Sequence, residues 1–316
     1  MPVRHAARLR YATHYLQILR DLNGLFLNGA TELSIGLSLF SLEWPSIQYA
    51  WSSAVALAAT DDGARLCSFY PRAGAALLNL RLDPKQRLAW LKIGLRCARR
   101  LGDTRAVGRH LGDLAMAYRA LGNTTRAITL LECRRRIARD NEDREGEASA
   151  LGNLGNVSMS VHALVKARDY YTQCLSLTSE DNRTRADALG NLAVACRELK
   201  EVPHALEYHQ RALTIYRQLR YRRGEGQTLN NLGVTHRTMG RYSEAAEVFA
   251  EALSIFRELK DHRGEALTLW NIGSVADKQG DLPRAIAYAK GARDVLLRIG
   301  EPLPPGLREM LARMGG

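Results

Sequence analysis

Several things are missing from this sequence, and each absence excludes a class of protein. Lysine is scarce, with seven residues in a chain of 316. None of the seven (Lys85, Lys92, Lys166, Lys200, Lys260, Lys278, Lys290) precedes Ser or Thr, and no GxxxxGK occurs, so no P-loop is encoded. There is no HExxH, no His/Cys cluster at zinc spacing and no GxSxG, and the eight histidines are scattered. These absences predict a non-enzymatic chain with no cofactor and no metal. The five cysteines (Cys67, Cys97, Cys133, Cys174, Cys196) are odd in number and form no CxxC. That argues against a disulfide framework and predicts a reducing, cytoplasmic setting. Long apolar runs are also missing. The longest uncharged stretch, Trp44 to Thr60, has 17 residues and contains Pro45, Gln48, Ser52 and Ser53, too short and too polar to span a bilayer. Arg4, Arg8 and Arg10 break up any apolar leader, so no secretory signal and no membrane partner are expected.

What is present is a globular composition, 46% hydrophobic and 25% charged, with net charge +12. Such a chain buries a core and is not disordered. The charge is uneven: residues 1–110 carry 15 basic and 7 acidic side chains, residues 111–316 carry 30 and 26. Arginine, with 38 residues, supplies most of the positive charge. Guanidinium groups grip carboxylates in two-pronged fashion, so acidic partners are expected. Because the arginines do not gather in one run, solvated helix faces explain them better than nucleic-acid binding, which is the disfavoured partner class.

The organising feature is an internal repeat. The segments LGDLA, LGNLG, LGNLA, LNNLG and LWNIG begin at Leu111, Leu151, Leu189, Leu229 and Leu269, in steps of 40, 38, 40 and 40 residues. Sixteen residues after each leucine stands an alanine: Ala127, Ala167, Ala205, Ala245, Ala285. The short step implies a two-residue deletion near Asp181. Each repeat reads as two helices. Gly122, Gly240 and Gly280 are placed to end the first helix in a left-handed conformation. Pro84, Pro203 and Pro283 are placed in the first turn of a second helix, where a missing N–H costs nothing. The small residues, Gly233 and Ala245 among them, mark where paired helices cross closely. No repeat can bury its apolar face alone, so neighbours must stack.

Leu229, Leu232, Gly233, Gly240, Tyr242, Ala245, Phe249 and Ala252 fall at signature spacings of the tetratricopeptide repeat, which this pattern resembles. The 40-residue period and linkers such as RRGEGQTLNNLG are similar to the long-repeat branch. That branch includes Pins-like adaptors, kinesin light chains and the arms of bacterial NB-ARC (STAND) NTPases. The resemblance implies an all-α fold, a right-handed α-α superhelix. The array spans 62–302, its first repeat (66–101) degenerate, with Arg87 in place of the packing alanine. Residues 1–61 resemble the helical junction of the NB-ARC-type proteins. Two or three helices are expected there, with apolar stripes at His5–Leu19, Leu33–Phe40 and Ile47–Leu57. Residues 303–316 read as a capping helix, so a monomer or dimer is expected and not a filament.

The resemblance also implies that first helices line a concave groove that takes a protein or peptide. Two residues after each leading leucine stand Asp113, Asn153, Asn191, Asn231 and Asn271; eight after it, Arg119, Arg197 and Arg237 stand in three of the five repeats. An Asn amide both donates to and accepts from an extended backbone, and Arg suits acidic side chains. Two readings of the Asn ladder stay open: contact with a partner, or bonding between neighbouring repeats. His209 and His236 stand at aromatic positions and are read as core. In the run Arg134–Arg136 the first two replace the usual Ala and Leu of the second helix; their stems are expected to cover apolar surface while the heads reach water, in preference to a local anion site. The function that follows is a peptide-binding scaffold without catalysis; the alternative is the ligand-sensing arm of a STAND-type regulator.

Overall fold

The computed structural model describes residues 2–28, 30–180 and 182–313. Among them the chain forms sixteen α-helices and no strand, arranged as two compact units, Met1–Val161 and His162–Gly316. The first unit contains α1 (Pro2–Asn28), α2 (Ala30–Ala56), α3 (Asp61–Ala73), α4 (Ala75–Arg81), α5 (Pro84–Arg100), α6 (Thr104–Ala120), α7 (Thr124–Asp140) and α8 (Arg144–Ser160). The second contains α9 (Leu164–Leu177), α10 (Arg183–Glu198), α11 (Val202–Gln218), α12 (Arg222–Thr238), α13 (Tyr242–Glu258), α14 (His262–Lys278), α15 (Leu282–Arg298) and α16 (Pro305–Arg313). No described helix is long and apolar enough to cross a membrane.

Helices pack as consecutive pairs, α6 on α7 in the first unit and α10 on α11, α12 on α13 and α14 on α15 in the second. The pairing follows from the small residues. Ala127, Ala167, Ala205, Ala245 and Ala285 are all fully buried. At Gly233 the partner helix comes close: a Cβ there would lie 2.6 Å from Phe249 Cε1, and Phe249 is itself fully buried. Pro84, Pro203 and Pro283 sit in the first turns of α5, α11 and α15 as expected.

The turns show a finer period than the repeat. Left-handed residues recur every 20 positions: Gly102, Gly122 and Glu142 in the first unit; Lys200, Arg220, Gly240, Lys260, Gly280 and Gly300 in the second, which also has one at His162. All but His162 end a helix by sending amides back to its last carbonyls, as Gly240 N does to Arg237 O (3.1 Å) and Arg241 N to His236 O (3.0 Å). The three glycines expected here do adopt this conformation, with φ of +76°, +74° and +79°. Where the residue is not glycine, an electrostatic clasp spans several of the turns. Arg139 reaches Glu147 (2.6 Å), Arg217 reaches Glu225 (2.8 Å) and Arg257 reaches Glu265 (2.9 Å).

The shortened repeat breaks this rule, and the sequence compensates. Position Asp181 lies outside the described residues. α9 stops at Leu177, and where three of the other repeats carry the clasp glutamate there is Arg185. Its Nη1 donates to Leu175 O (3.0 Å) and Thr178 O (3.2 Å), and Nη2 pairs with Glu180 (2.7 Å). The arginine caps the carbonyls that the deleted turn leaves open.

The N-terminal segment differs from its sequence reading in one respect. The stripes at Leu33–Phe40 and Ile47–Leu57 fall on one 27-residue helix, α2, with Pro45 inside it and Leu57 just past its end. Side chains of 30–34 lie outside the described part of that helix. A core forms around Leu19, Trp44, Ile47, Trp51, Tyr70 and Trp90, in which Trp51 stacks on Trp90 at 4.3 Å and 17°. Arg87 is buried where an alanine was expected to pack. It is tolerated because Nη1 donates to Pro71 O (2.7 Å) and Nε to Asn79 Oδ1 (3.0 Å). At the other end, Leu307, Met310 and Leu311 of α16 pack into the core of α14 and α15, and Arg313 pairs with Asp277 (2.5 Å).

Candidate binding surface

First helices carry the predicted residues, half-buried in every case but Arg119. In the first unit, Asp113 on α6 accepts from Arg72 Nη1 at 2.8 Å, so its carboxylate serves an internal pair. Arg119 is exposed in the last turn of α6, and Asn153 is half-buried on α8. Among the arginine triplet, Arg134 lies over Gly112 so closely that a Cβ there would collide with it, and burial lowers its pKa. The guanidinium head itself lies against the helix and is desolvated, so the expectation that the stem packs while the head reaches water does not describe Arg134. Arg135 is spent on Glu147 (3.3 Å), and Arg136 is exposed.

In the second unit, Asn191, Asn231 and Asn271 are half-buried on α10, α12 and α14. Asn271 Nδ2 donates to Asn230 Oδ1 at 3.1 Å, and Thr268 Oγ1 donates to the same oxygen at 3.2 Å. At this position the amide bonds one repeat to the next, the second of the two readings. Asn230, one residue before the ladder position, does not stand out in the sequence pattern. Its signal is that other repeats place Gly or Trp there, so the amide belongs to this junction alone.

The two arginines of this unit come together with two histidines. Arg197 on α10 has a side chain only 14% exposed; its Nη2 pairs with Glu198 at 2.9 Å, while Nη1 is buried without a hydrogen-bond partner. Arg237 on α12 is half-buried, and its Nε is buried and unpartnered. Burial is the main cause of the lowered Arg237 pKa, and the nearby Arg197 charge adds to it. Between them, on α11, His209 is fully buried with neither ring nitrogen bonded. Burial first, then Arg197 and His236, hold its pKa down to about 3, so the ring is neutral. His236 Nδ1 is likewise buried and unpartnered.

His209 is a core residue, as its aromatic position implied, whereas His236 is only half-buried. What the sequence did not reveal is that their nitrogens would go unsatisfied beside the two arginines. An unmade hydrogen bond on a buried polar group costs about 1–3 kcal/mol, more for a charged one. The neutral His209 ring has one donor and one acceptor nitrogen, so the donors Arg197 Nη1, Arg237 Nε and the His209 N–H mark a place that lacks an acceptor. The group that would supply it is an anion with several lone pairs, a carboxylate above all. No cluster of three or more His, Cys, Asp or Glu suited to a metal occurs among the described residues.

A family model described as tetratricopeptide repeat matches residues 141–218 and 222–298. No curated protein matches the chain. Among solved structures, BtubC (BKLC) from P. vanneervenii is similar, with a TM-score of 0.62 at 20% identity, covering 71% of this chain and 94% of that one. Aspartyl phosphate phosphatase F from Bacillus subtilis is similar at a TM-score of 0.56 and 16% identity, over 90% of this chain and 76% of its own. The nearly identical TPR-like repeats assigned to a kinesin light chain of Podosopora anserina give 0.51 at 15% identity, over 60% and 95%. At these identities the likeness establishes the fold.

Proposed function

Because this chain is a tetratricopeptide-repeat protein, we propose that it is a binding scaffold for a protein or peptide segment bearing a carboxylate. The carboxylate docks at Arg197 and Arg237 on the first helices of the second unit. The observation that carries this reading is the set of buried, unpartnered nitrogens on Arg197, Arg237, His209 and His236. Glu198 partly neutralises Arg197, but Arg237 forms no ion pair among the described residues and feels the Arg197 charge, so an incoming carboxylate relieves that repulsion while giving the donors an acceptor. Asn191 and Asn231, on the same two helices, are suited to orient the backbone of such a segment. Asn271 contributes through the junction it ties to Asn230. Apolar neighbours in the segment supply the rest of the affinity.

A peptide array probed with the intact protein and with an Arg197→Gln/Arg237→Gln variant tests this. Acidic peptides are expected to dominate the bound set and to weaken at least tenfold in the variant. An Asn191→Ala/Asn231→Ala variant separates backbone orientation from charge. Acidic peptides that bind the arginine variant as well as the intact protein would remove the site, and an array with no bound peptide would remove the scaffold.

The separate aromatic core of residues 12–97 supports a second reading, the arm of a STAND-type regulator in which the N-terminal helices are the junction to an NTPase. A gene whose product carries a P-loop domain ahead of Met1 is what that reading requires, and a gene without one ends it.

A further inference from the structure

A second basic site lies inside the first unit. α1, α3 and α6 enclose a cavity of about 430 Å³ that opens to solvent. Arg20 and Asn23 line it from α1, Ser68 and Arg72 from α3, and Arg109 and His110 from α6. No acidic side chain is among its lining residues. Asp113 touches it only indirectly, through Arg72 Nη1 at 2.8 Å. Arg20 and Arg109 form no ion pair among the described residues; Arg20 instead lies over the Phe69 ring at 5.5 Å.

The rest of the lining is built to donate. Asn23 Oδ1 is consumed by the backbone amides of Ala76 (3.0 Å) and Leu77 (3.4 Å), which leaves the NH₂ side of that amide as its remaining polar group. His110 is fully buried; Nε2 meets Ser68 Oγ at 3.2 Å, and Nδ1 has no partner. Burial is the main reason its pKa falls to about 4, with Arg72 and Arg109 pushing the same way, so the ring is neutral and adds no repulsion. Three guanidinium groups therefore converge on a space whose only nearby carboxylate is already shared.

We infer that this cavity binds the phosphoryl group of a small phosphate monoester, with Arg20, Arg72 and Arg109 as its cationic clamp. A tetrahedral dianion presents enough oxygens for three guanidinium forks at once, which a single carboxylate does not. The volume lies within the range of small-molecule pockets, about 300–1,000 Å³, and so has room for more than the phosphoryl group. Phe69, 43% exposed at the rim, offers an apolar edge to the ester's organic part.

Calorimetric titration of the full chain at low salt with phenyl phosphate, inorganic phosphate and benzoate tests the assignment. Saturable binding of phenyl phosphate is expected, tighter than inorganic phosphate, with benzoate weakest. Arg109→Gln and Arg20→Gln are each expected to weaken phenyl phosphate at least tenfold, whereas Arg298→Gln, the same charge lost from exposed α15, leaves it unchanged. Arg72 is not substituted, because its loss strands Asp113. Circular dichroism checks that each variant stays helical. As a second readout, binding of a dianion raises the His110 pKa, followed by its ring resonances in NMR. Equal loss in Arg298→Gln would reduce the effect to net charge, and no saturable binding, or unchanged binding by both cavity variants, overturns the site. If inorganic phosphate binds as tightly as the ester, the phosphoryl clamp stands and the monoester is refuted.

Discussion

Gly233→Ala and Gly190→Ala are the same change on neighbouring first helices, and the structure gives them opposite consequences. Both sit inside helices, where alanine is favoured over glycine by about 1 kcal/mol. At Gly190 the new Cβ would meet only Thr228 Oγ1 at 3.9 Å, an ordinary contact. At Gly233 it would lie 2.6, 2.7 and 2.8 Å from three atoms of the Phe249 ring, which is fully buried and has nowhere to swing. Overpacking of this kind costs about 1–3 kcal/mol. The propensity gain is common to both variants and cancels in the comparison. Gly190→Ala is therefore expected to stabilise, and Gly233→Ala to fall below it by about 1–3 kcal/mol. For a unit of this size that is a separation of roughly 2–12 °C in Tm. Thermal unfolding followed by circular dichroism, with urea titration as a second probe, measures it. Adding Phe249→Leu should restore much of the loss in Gly233→Ala, giving a positive coupling in the double-mutant cycle. If Gly233→Ala raises Tm as much as Gly190→Ala, close helix crossing at this residue is not what the glycine is for.

Two further perturbations address the buried polar groups. His209 binds fewer protons folded than unfolded between its ordinary value of 6.5 and about 3, so stability is lost as pH falls through this window. His209→Leu, which places there the residue that Leu131 supplies at the equivalent position of the first unit, should flatten that part of the pH–stability curve and stabilise by about 1–3 kcal/mol at pH 7; an unchanged slope would mean the imidazole is not the titrating group. Burial pushes the Glu225 carboxyl upward, but hydrogen bonds from Arg217 and Arg222 outweigh it and leave the pKa below its ordinary 4.5. The clasp therefore stabilises above that pH and fades on acidification. Glu225→Gln should cost about 1–3 kcal/mol at pH 7, the exposed arginines limiting the loss, and the difference should shrink in urea titrations at pH 3.

The repeat could be read from the chain because a solenoid writes its contacts locally. Leu229, Gly233, Ala245 and Phe249 meet within one 40-residue unit, so their spacing alone states which residues pack. Gly240 and Gly280 were readable for the same reason, since a left-handed turn favours glycine wherever it occurs. Lys200, Arg220 and Lys260 adopt the same conformation without that signal, and only the backbone reveals them. Arg185 could be seen to replace a glutamate, but that it caps α9 depends on how the shortened turn folds.

The helical pairs, their period and the alanines at their crossings are written in the chain, because they follow from residue size and spacing along it. Which polar groups find partners depends on the packed molecule. Asn271 is spoken for by Asn230, Asp113 by Arg72, and Arg135 by Glu147, whereas Arg197, Arg237 and His209 are left with bare nitrogens. Hydrogen bonding is directional and acts over about 3 Å, so it is set by where helices distant in the chain come to rest.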